Sequence, residues 1–362
     1  MMALRTTLRL CMVLLSQSGI LNAQETSALG GCLIIDIRKG LGTPVSLADF
    51  CGRIPKISYP GGTTFQDHLS WAPPVLAFAF DEAERGLAGS ITGVTGTRGV
   101  RIVLVPGGLV NAGVPVGGSR GSSNSLDILM TSSLLDFVEA TTAAYMADAL
   151  TNTKDRVEAL GFRKWLDLMG KQKTSTTGKA GGVMPVPWPG PGKQTPEWNL
   201  KYVRTPAQTV YHLIFAHELS HVALGLPSGG ATDAEVRDRE IRVDRNAFRS
   251  MGPLSPHRNA MQTRGNVLPT FIVVFMTGMW YFENLRGQEL REAFKVAGSP
   301  LTFQTMFPAR DWSKRALALI SDWESTCGGG VGTATLGTAC APGWKEAIVE
   351  ARTFVTSKPP EP

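Results

Sequence analysis

Residues 217–221, His-Glu-Leu-Ser-His, set two imidazoles four positions apart with a carboxylate directly after the first. On a helix, four residues return a side chain to the same face one turn on, so both rings can offer a nitrogen to a single ion about 2 Å away. Glu218 then projects beside that ion and outside its ligand sphere, where it can accept a proton from a water that the ion activates. A catalytic zinc of this kind takes three protein ligands and keeps a fourth position open. The third ligand is expected downstream. Glu240 and Asp244 also lie four apart, on a face continued by Ala247 and Met251 and flanked by Ile241 and Phe248. Two acids on an apolar face need partners, because burying unpaired charge is costly. Zn2+ would partner Glu240 as third ligand, and a zinc-bound histidine would partner Asp244 through its ring N–H. The alternative is that both acids pair with arginines of their own helix, Arg237, Arg242 and Arg245 among them.

Two helices must carry these groups. Thr205-Pro206 supplies a start and Gly225 with Pro227 a stop, which predicts a helix from Pro206 to Leu224. Val210, Leu213, Ile214, His217, His221 and Leu224 fall on one inward stripe, with Tyr211, Phe215, Leu219 and Val222 as a second apolar flank. His212 lies off that stripe and is expected as a surface or core histidine instead of a ligand. The second helix is expected to begin after Gly230 and to end at Gly252-Pro253. Thr232 and Glu235 at its start form a capping box, which gives Glu235 a structural job distinct from that of Glu240. Upstream, VRIVLV reads as a buried strand ended by PGG, and Asp127–Thr131 as another short strand. From Ser132 the period becomes helical, with Leu134, Val138, Tyr145 and Ala149 on one face and Thr142 interrupting it.

The rest of the chain bounds where such a site would work. Residues 1–23 read as a secretory signal, with Arg5 and Arg9, an apolar middle and a small-residue cleavage site before Gln24. Losing those two arginines brings the formal charge of +6 down by two, and no basic run is interleaved with aromatics, so nucleic acid is not an expected partner. Cys11 leaves with the signal, and Cys32, Cys51, Cys327 and Cys340 remain for an oxidising compartment. Of the three possible pairings, sequence proximity favours Cys32–Cys51 with Cys327–Cys340. Residues 267–282 are uncharged but short for a membrane span and are expected as a buried helix, so no integral membrane protein is expected. Residues 171–199 are rich in Pro, Gly and Thr and are read as an insertion, either a flap over the site or a solvated loop.

These residues resemble the gluzincin peptidases, in which H-E-x-x-H is followed by a ligand glutamate on the next helix. The long metzincin pattern is excluded, because Leu224 and Pro227 stand where it requires glycine and histidine. The closer similarity is to the family of the CaaX prenyl endopeptidase and the HtpX heat-shock protease, where the glutamate lies in a pattern like E-x-x-A-D-R-x-A. Here Glu240 to Ala247 reads EIRVDRNA, with Val243 in place of the first alanine. That family runs from a strand through an Asn-Ala-Phe turn and an edge strand into a Gly-Leu-Leu helix start. This chain has VRIVLV, Asn111-Ala112-Gly113 and DILMTSSLLDFVE in the same order, without the phenylalanine. Phe307-Pro308 and Arg315 stand where the family carries His-Pro and an arginine.

The resemblance covers roughly Gly99 to Leu319 and implies an α+β, zincin-like fold, a small mixed sheet packed on a mostly helical core. The expected organisation is a signal peptide (1–23), an N-terminal extension (24–85), a metallopeptidase domain (86–325) with the 171–199 insertion, and a C-terminal tail (326–362). The expected function is an exported, periplasmic or secreted, zinc-dependent endopeptidase. His217, His221 and Glu240 would be its ligands, Glu218 its base and Asp244 the support of a ligand. Its substrate would be a peptide or unfolded protein added to the edge strand, with peripheral envelope association compatible. Tyr211, His257, Tyr281 and Arg315 are the candidates for an additional oxyanion donor. The rival is a non-catalytic envelope protein that uses the fold as a peptide-binding or chaperone module. An intact Glu218 argues against it, since a purely structural zinc site needs no base.

Overall fold

The computed structural model describes residues 26–29, 32–38, 51–52, 71–88, 99–105, 112–113, 125–151, 204–224, 231–250, 312–328 and 344–356. The expected signal peptide, the 171–199 insertion, the apolar segment 267–282, His257 and Cys340 lie outside them. The architecture is α+β. Strands β1 (Thr26–Leu29), β2 (Cys32–Arg38), β3 (Gly99–Val105), β4 (Ala112–Gly113) and β5 (Ser125–Thr131) form one mixed sheet in the order β1-β2-β3-β5-β4. Helices α1 (Ala72–Gly86), α2 (Ser132–Thr151), α3 (Thr205–Leu224), α4 (Asp233–Ser250), α5 (Trp312–Gly328) and α6 (Trp344–Thr356) complete the described residues.

β3 reads as a near-continuous apolar run because it is the central strand, buried on both faces between antiparallel β2 and parallel β5. Val100, Ile102 and Leu104 face the helices together with Leu33, Ile35, Leu126, Ile128 and Met130. On the opposite face, Val103 packs with Cys32, Ile34 and Cys51. Arg101 also falls on that opposite side by alternation, directly across from Asp127 in the parallel register, and its buried guanidinium donates to the carboxylate at 2.8 Å. The expected Cys32–Cys51 disulfide is formed and ties β2 to the segment that covers this face. Cys327 is also disulfide-bonded, with its partner outside the described residues.

Asp127–Thr131, expected as the edge strand, lies inside the sheet. Its alternate residues Leu126, Ile128 and Met130 are buried, and it has neighbours on both sides. On that side the sheet ends, among the described residues, at β4, formed by two residues of the expected turn, with Ala112 opposite Met130 and Gly113 opposite Leu129. β5 passes straight into α2, where the Thr131 hydroxyl accepts from the backbone N–H of Leu134 as an N-cap. Leu134 and Val138 are buried as expected, and Thr142 satisfies its hydroxyl inside the core by donating to the Val138 carbonyl at 2.6 Å. The side chains of Tyr145 and Ala149 lie outside the description.

The segment expected as an N-terminal extension supplies β1, β2 and α1, all within the same architecture. α1 starts on prolines in its first turn, where a missing N–H costs nothing, and buries Val75, Leu76, Ala79, Phe80 and Ala83. Phe80 meets Phe215 of α3 edge to face at 5.7 Å between ring centres. At its far end, α1 approaches the end of α4 so closely that a Cβ on Gly86 would lie 2.1 Å from the Ser250 carbonyl oxygen. α5 packs through Ala316, Leu319, Ile320 and Trp323, and α6 adds Ile348, Ala351 and Val355 to the same core. Among the described residues no helix is long and apolar enough to cross a membrane.

Candidate metal centre

α3 begins at Thr205, one residue before the expected start, and ends at Leu224 as expected. Its deepest face is the flank carrying Tyr211, Phe215, Ala216 and Leu219, all fully buried. The histidine stripe lies at the margin of the core, with the side chains of His217 and His221 17% and 14% exposed. Leu224, expected to continue that stripe inward, is 47% exposed, because the last turn of α3 runs out of the core. A site that must admit a ligand is better served by this marginal position than by full burial.

α4 starts at the expected box. The Thr232 N–H donates to Glu235 Oε2 at 2.7 Å, and the Glu235 N–H donates back to the Thr232 hydroxyl at 3.3 Å. The Thr232 N–H and the Thr232 hydroxyl, which both donate to Glu235 Oε2, hold the exposed carboxyl below its ordinary value. Further along, Asn246 donates to Ser220 Oγ at 3.0 Å, and Ser220 donates to the Ala216 carbonyl at 2.7 Å, which pins α4 against α3 between the two histidine turns. Val243, Asp244, Ala247 and Phe248 are buried.

This packing brings His217, His221 and Glu240 together, with one candidate ligand atom of each within 4.8 Å of the others. The two Nε2 atoms are 3.0 Å apart, and Glu240 offers Oε1 at 3.3 Å from His221 and Oε2 at 3.5 Å from His217. His217 Nδ1 is 2.9 Å from Asp244 Oδ1. An ionised carboxylate only accepts, so Nδ1 carries the proton and the neutral ring keeps its lone pair on Nε2, aimed at the cluster. Lone pairs and a carboxylate facing one another at such distances need a shared cation or a proton. The donor set, two imidazole nitrogens and one carboxylate, fits a divalent transition metal.

The electrostatics of the metal-free cluster follow from the same contacts. Burial alone would lower the proton affinity of His217, but the bond to Asp244 and the charges of Asp244, Glu240 and Glu218 outweigh it, and its pKa is raised. His221 goes the other way, down to about 4, through burial and the neighbouring His217. Burial works against ionisation of Asp244, but Arg315 and His217 overcome it and hold the carboxyl well below its usual range. Glu240 is likewise lowered against burial by His217, Arg315 and His221. Glu218 is buried beside the first ligand, and its charge contributes to holding the proton on His217.

No protein-family model, curated protein or solved structure matches this chain. The site therefore stands on its own geometry.

The acids of α4 find their partner on another helix. Arg315 of α5, only 3% exposed, donates through Nε and Nη2 to Asp244 at 2.5 and 2.8 Å, and its Nη2 lies 3.3 Å from Glu240 Oε2. The arginines of α4 turn elsewhere: Arg245 pairs with Asp322 at 2.9 Å, Arg239 donates to the Leu224 carbonyl, and Arg242 is exposed. Spacing sets both acids on one face, but Arg315 lies 71 residues beyond Asp244, too far along the chain for spacing to connect them. Among the oxyanion candidates, Tyr211 is buried with its hydroxyl 3.5 Å from the Leu135 carbonyl, and Arg315 is committed to two carboxylates. His257 and Tyr281 lie outside the described residues. His212 is a core histidine, with Nε2 3.4 Å from Ser250 Oγ.

Proposed function

We infer that this chain is an exported zinc-dependent endopeptidase of gluzincin type, with a zincin-like fold. One observation carries the reading: His217 Nε2, His221 Nε2 and a Glu240 oxygen converge, while Asp244 holds the far nitrogen of His217. His217, His221 and Glu240 would hold the ion, leaving a fourth position for water. Zinc, when bound, polarises a substrate carbonyl and brings the pKa of its water towards neutrality.

Glu218 would be the base that accepts a proton from the attacking water and passes it to the leaving amine. Its place on α3, directly after His217, would keep its carboxylate beside the ion. Asp244 fixes the tautomer and orientation of His217. β4 ends the sheet among the described residues and lies against α3, so an extended peptide or unfolded protein segment can pair with its outer edge and run past the ligands. Export, to a periplasm or the exterior, is supported by the Cys32–Cys51 disulfide.

The test is made on the purified mature chain. Its metal content is measured, then hydrolysis of an unfolded substrate is compared with that of Glu218→Gln. Near-stoichiometric zinc in both proteins, with hydrolysis only in the parent, is the expected result. Zinc in both without hydrolysis of several unfolded substrates would favour the non-catalytic peptide-binding module.

A further inference from the structure

The geometry of Arg315 separates the two oxygens of Glu240. Oε2 lies 3.3 Å from Arg315 Nη2 and 3.5 Å from His217 Nε2, whereas Oε1 lies 3.3 Å from His221 Nε2. A carboxylate can ligate through one oxygen or both, and which it does depends on what else claims its lone pairs. The same guanidinium engages both oxygens of Asp244, and Oδ1 of Asp244 is also the partner of His217 Nδ1. One buried cation therefore touches a ligand directly and steadies a second ligand through an intermediate carboxylate.

We propose that Arg315 is a positioning residue for the metal, one that keeps Glu240 a one-oxygen ligand through Oε1 and locks the ring of His217 through Asp244. This rests on the metal-dependent reading of the site. The consequence is three protein donors, one per residue, so that the fourth position stays available for water. Without the guanidinium, Glu240 is free to bring in its second oxygen and Asp244 is free to rotate away from His217. Lysine cannot substitute, since a single ammonium on a flexible stem does not reproduce the Nε and Nη2 fork. The position of Arg315 is set by α5, whose Ala316, Leu319, Ile320 and Trp323 are anchored in the core, and not by either metal-bearing helix.

Co(II) in place of zinc gives a readout independent of activity, because its visible absorption weakens as four ligands become five. The full mature chain is compared with Arg315→Lys and Arg315→Met, with affinity measured against a chromophoric chelator and folding checked by circular dichroism. The parent is expected to show the intense four-ligand spectrum. The variants are expected to bind about 10- to 100-fold more weakly, with weaker and shifted bands. Should Arg315→Met not fold, the Asp244→Asn/Arg315→Met double variant removes both charges of the buried pair and is expected to show the same weakened bands. Parent-like spectra and affinities in Arg315→Lys and in the folded methionine variant would overturn the proposal. A parent that binds neither Co(II) nor zinc would instead sink the metal reading itself, and with it this assignment, a failure seen before any variant is made.

Discussion

Replacing Asp244 by Asn should separate metal support from fold support, because this carboxylate serves both. It is buried, accepts from His217 Nδ1 at 2.9 Å, and takes both arms of Arg315. Asparagine keeps one acceptor oxygen but presents an NH2 group where the other oxygen stood. In place of Oδ2 that amide faces Arg315 Nε–H, and turned to the place of Oδ1 it faces both His217 Nδ1–H and Arg315 Nη2–H, so at least one buried donor loses this acceptor in either orientation. Breaking a buried ion pair on one side costs about 3–5 kcal/mol of stability. Losing the support of a ligand costs about 10- to 100-fold in metal affinity, or roughly 1.4 to 2.8 kcal/mol. Urea unfolding in the presence of a chelator reads the first quantity, and chelator competition for zinc in native buffer reads the second. Both should fall. If Asp244→Asn loses stability in the chelator while binding zinc as tightly as the parent, Asp244 merely neutralises Arg315 and its placement behind His217 plays no part in holding the ion.

Glu240→Ala and Glu235→Ala distinguish ligand from cap. The first should lose zinc by direct measurement of metal content; the second should retain zinc while lowering the denaturant midpoint. The cap also carries a pH signature. Glu235 has a folded pKa below its ordinary 4.5, so its contribution is present above that pH and fades as the pH falls through the folded value. The parent should therefore lose its advantage over Glu235→Gln only on the acid side of pH 4.5, and an undiminished gap at lower pH would count against the box. Gly86→Ala places a methyl 2.1 Å from a backbone oxygen of α4, with nothing flexible to yield. It should cost about 1–3 kcal/mol in urea unfolding, and an unchanged midpoint would mean that the α1 and α4 ends are not so closely packed.

The local parts of this site were readable because each is written in a few neighbouring residues. The start of α3, the Thr232–Glu235 box and the shared face of Glu240 and Asp244 are set by spacing within one or two helical turns, and the structure has the start within one residue, the box formed and both acids on His217. The Cys32–Cys51 bond is likewise short-range, with a separation of 19 residues. What escaped is long-range or too short to signal. α1 opens with Pro73 and Pro74 ahead of the apolar run Val75 to Phe80, and it packs against α3 through Phe80. β4 is a two-residue edge, below the length at which alternation can be seen. Arg315 belongs to a helix far along the chain, and only the fold shows that it answers the acids of α4.

The charge balance gives a reason for a divalent ion that no spacing rule contains. Glu218, Glu240 and Asp244 lie in or at the margin of the core around the histidines, and among the described residues Arg315 is a buried cation that faces Glu240 and Asp244. With all three carboxylates ionised and both imidazoles neutral, that group carries two more negative charges than positive. A proton on His217, favoured by those same carboxylates, removes only one of them. Charge at this depth is costly unless it is paired, so a further cation beside these acids is favoured. A divalent cation at the three candidate ligand atoms would take the place of that proton and bring the sum over these groups to zero. The two imidazole nitrogens then discriminate among divalent ions, since calcium and magnesium prefer oxygen-only shells while zinc accepts this mixed set. Glu218→Gln leaves all three ligands in place and shifts the bound state by one charge towards positive. It should therefore weaken zinc binding without abolishing it, whereas loss of Glu240 removes a charge and a ligand at once.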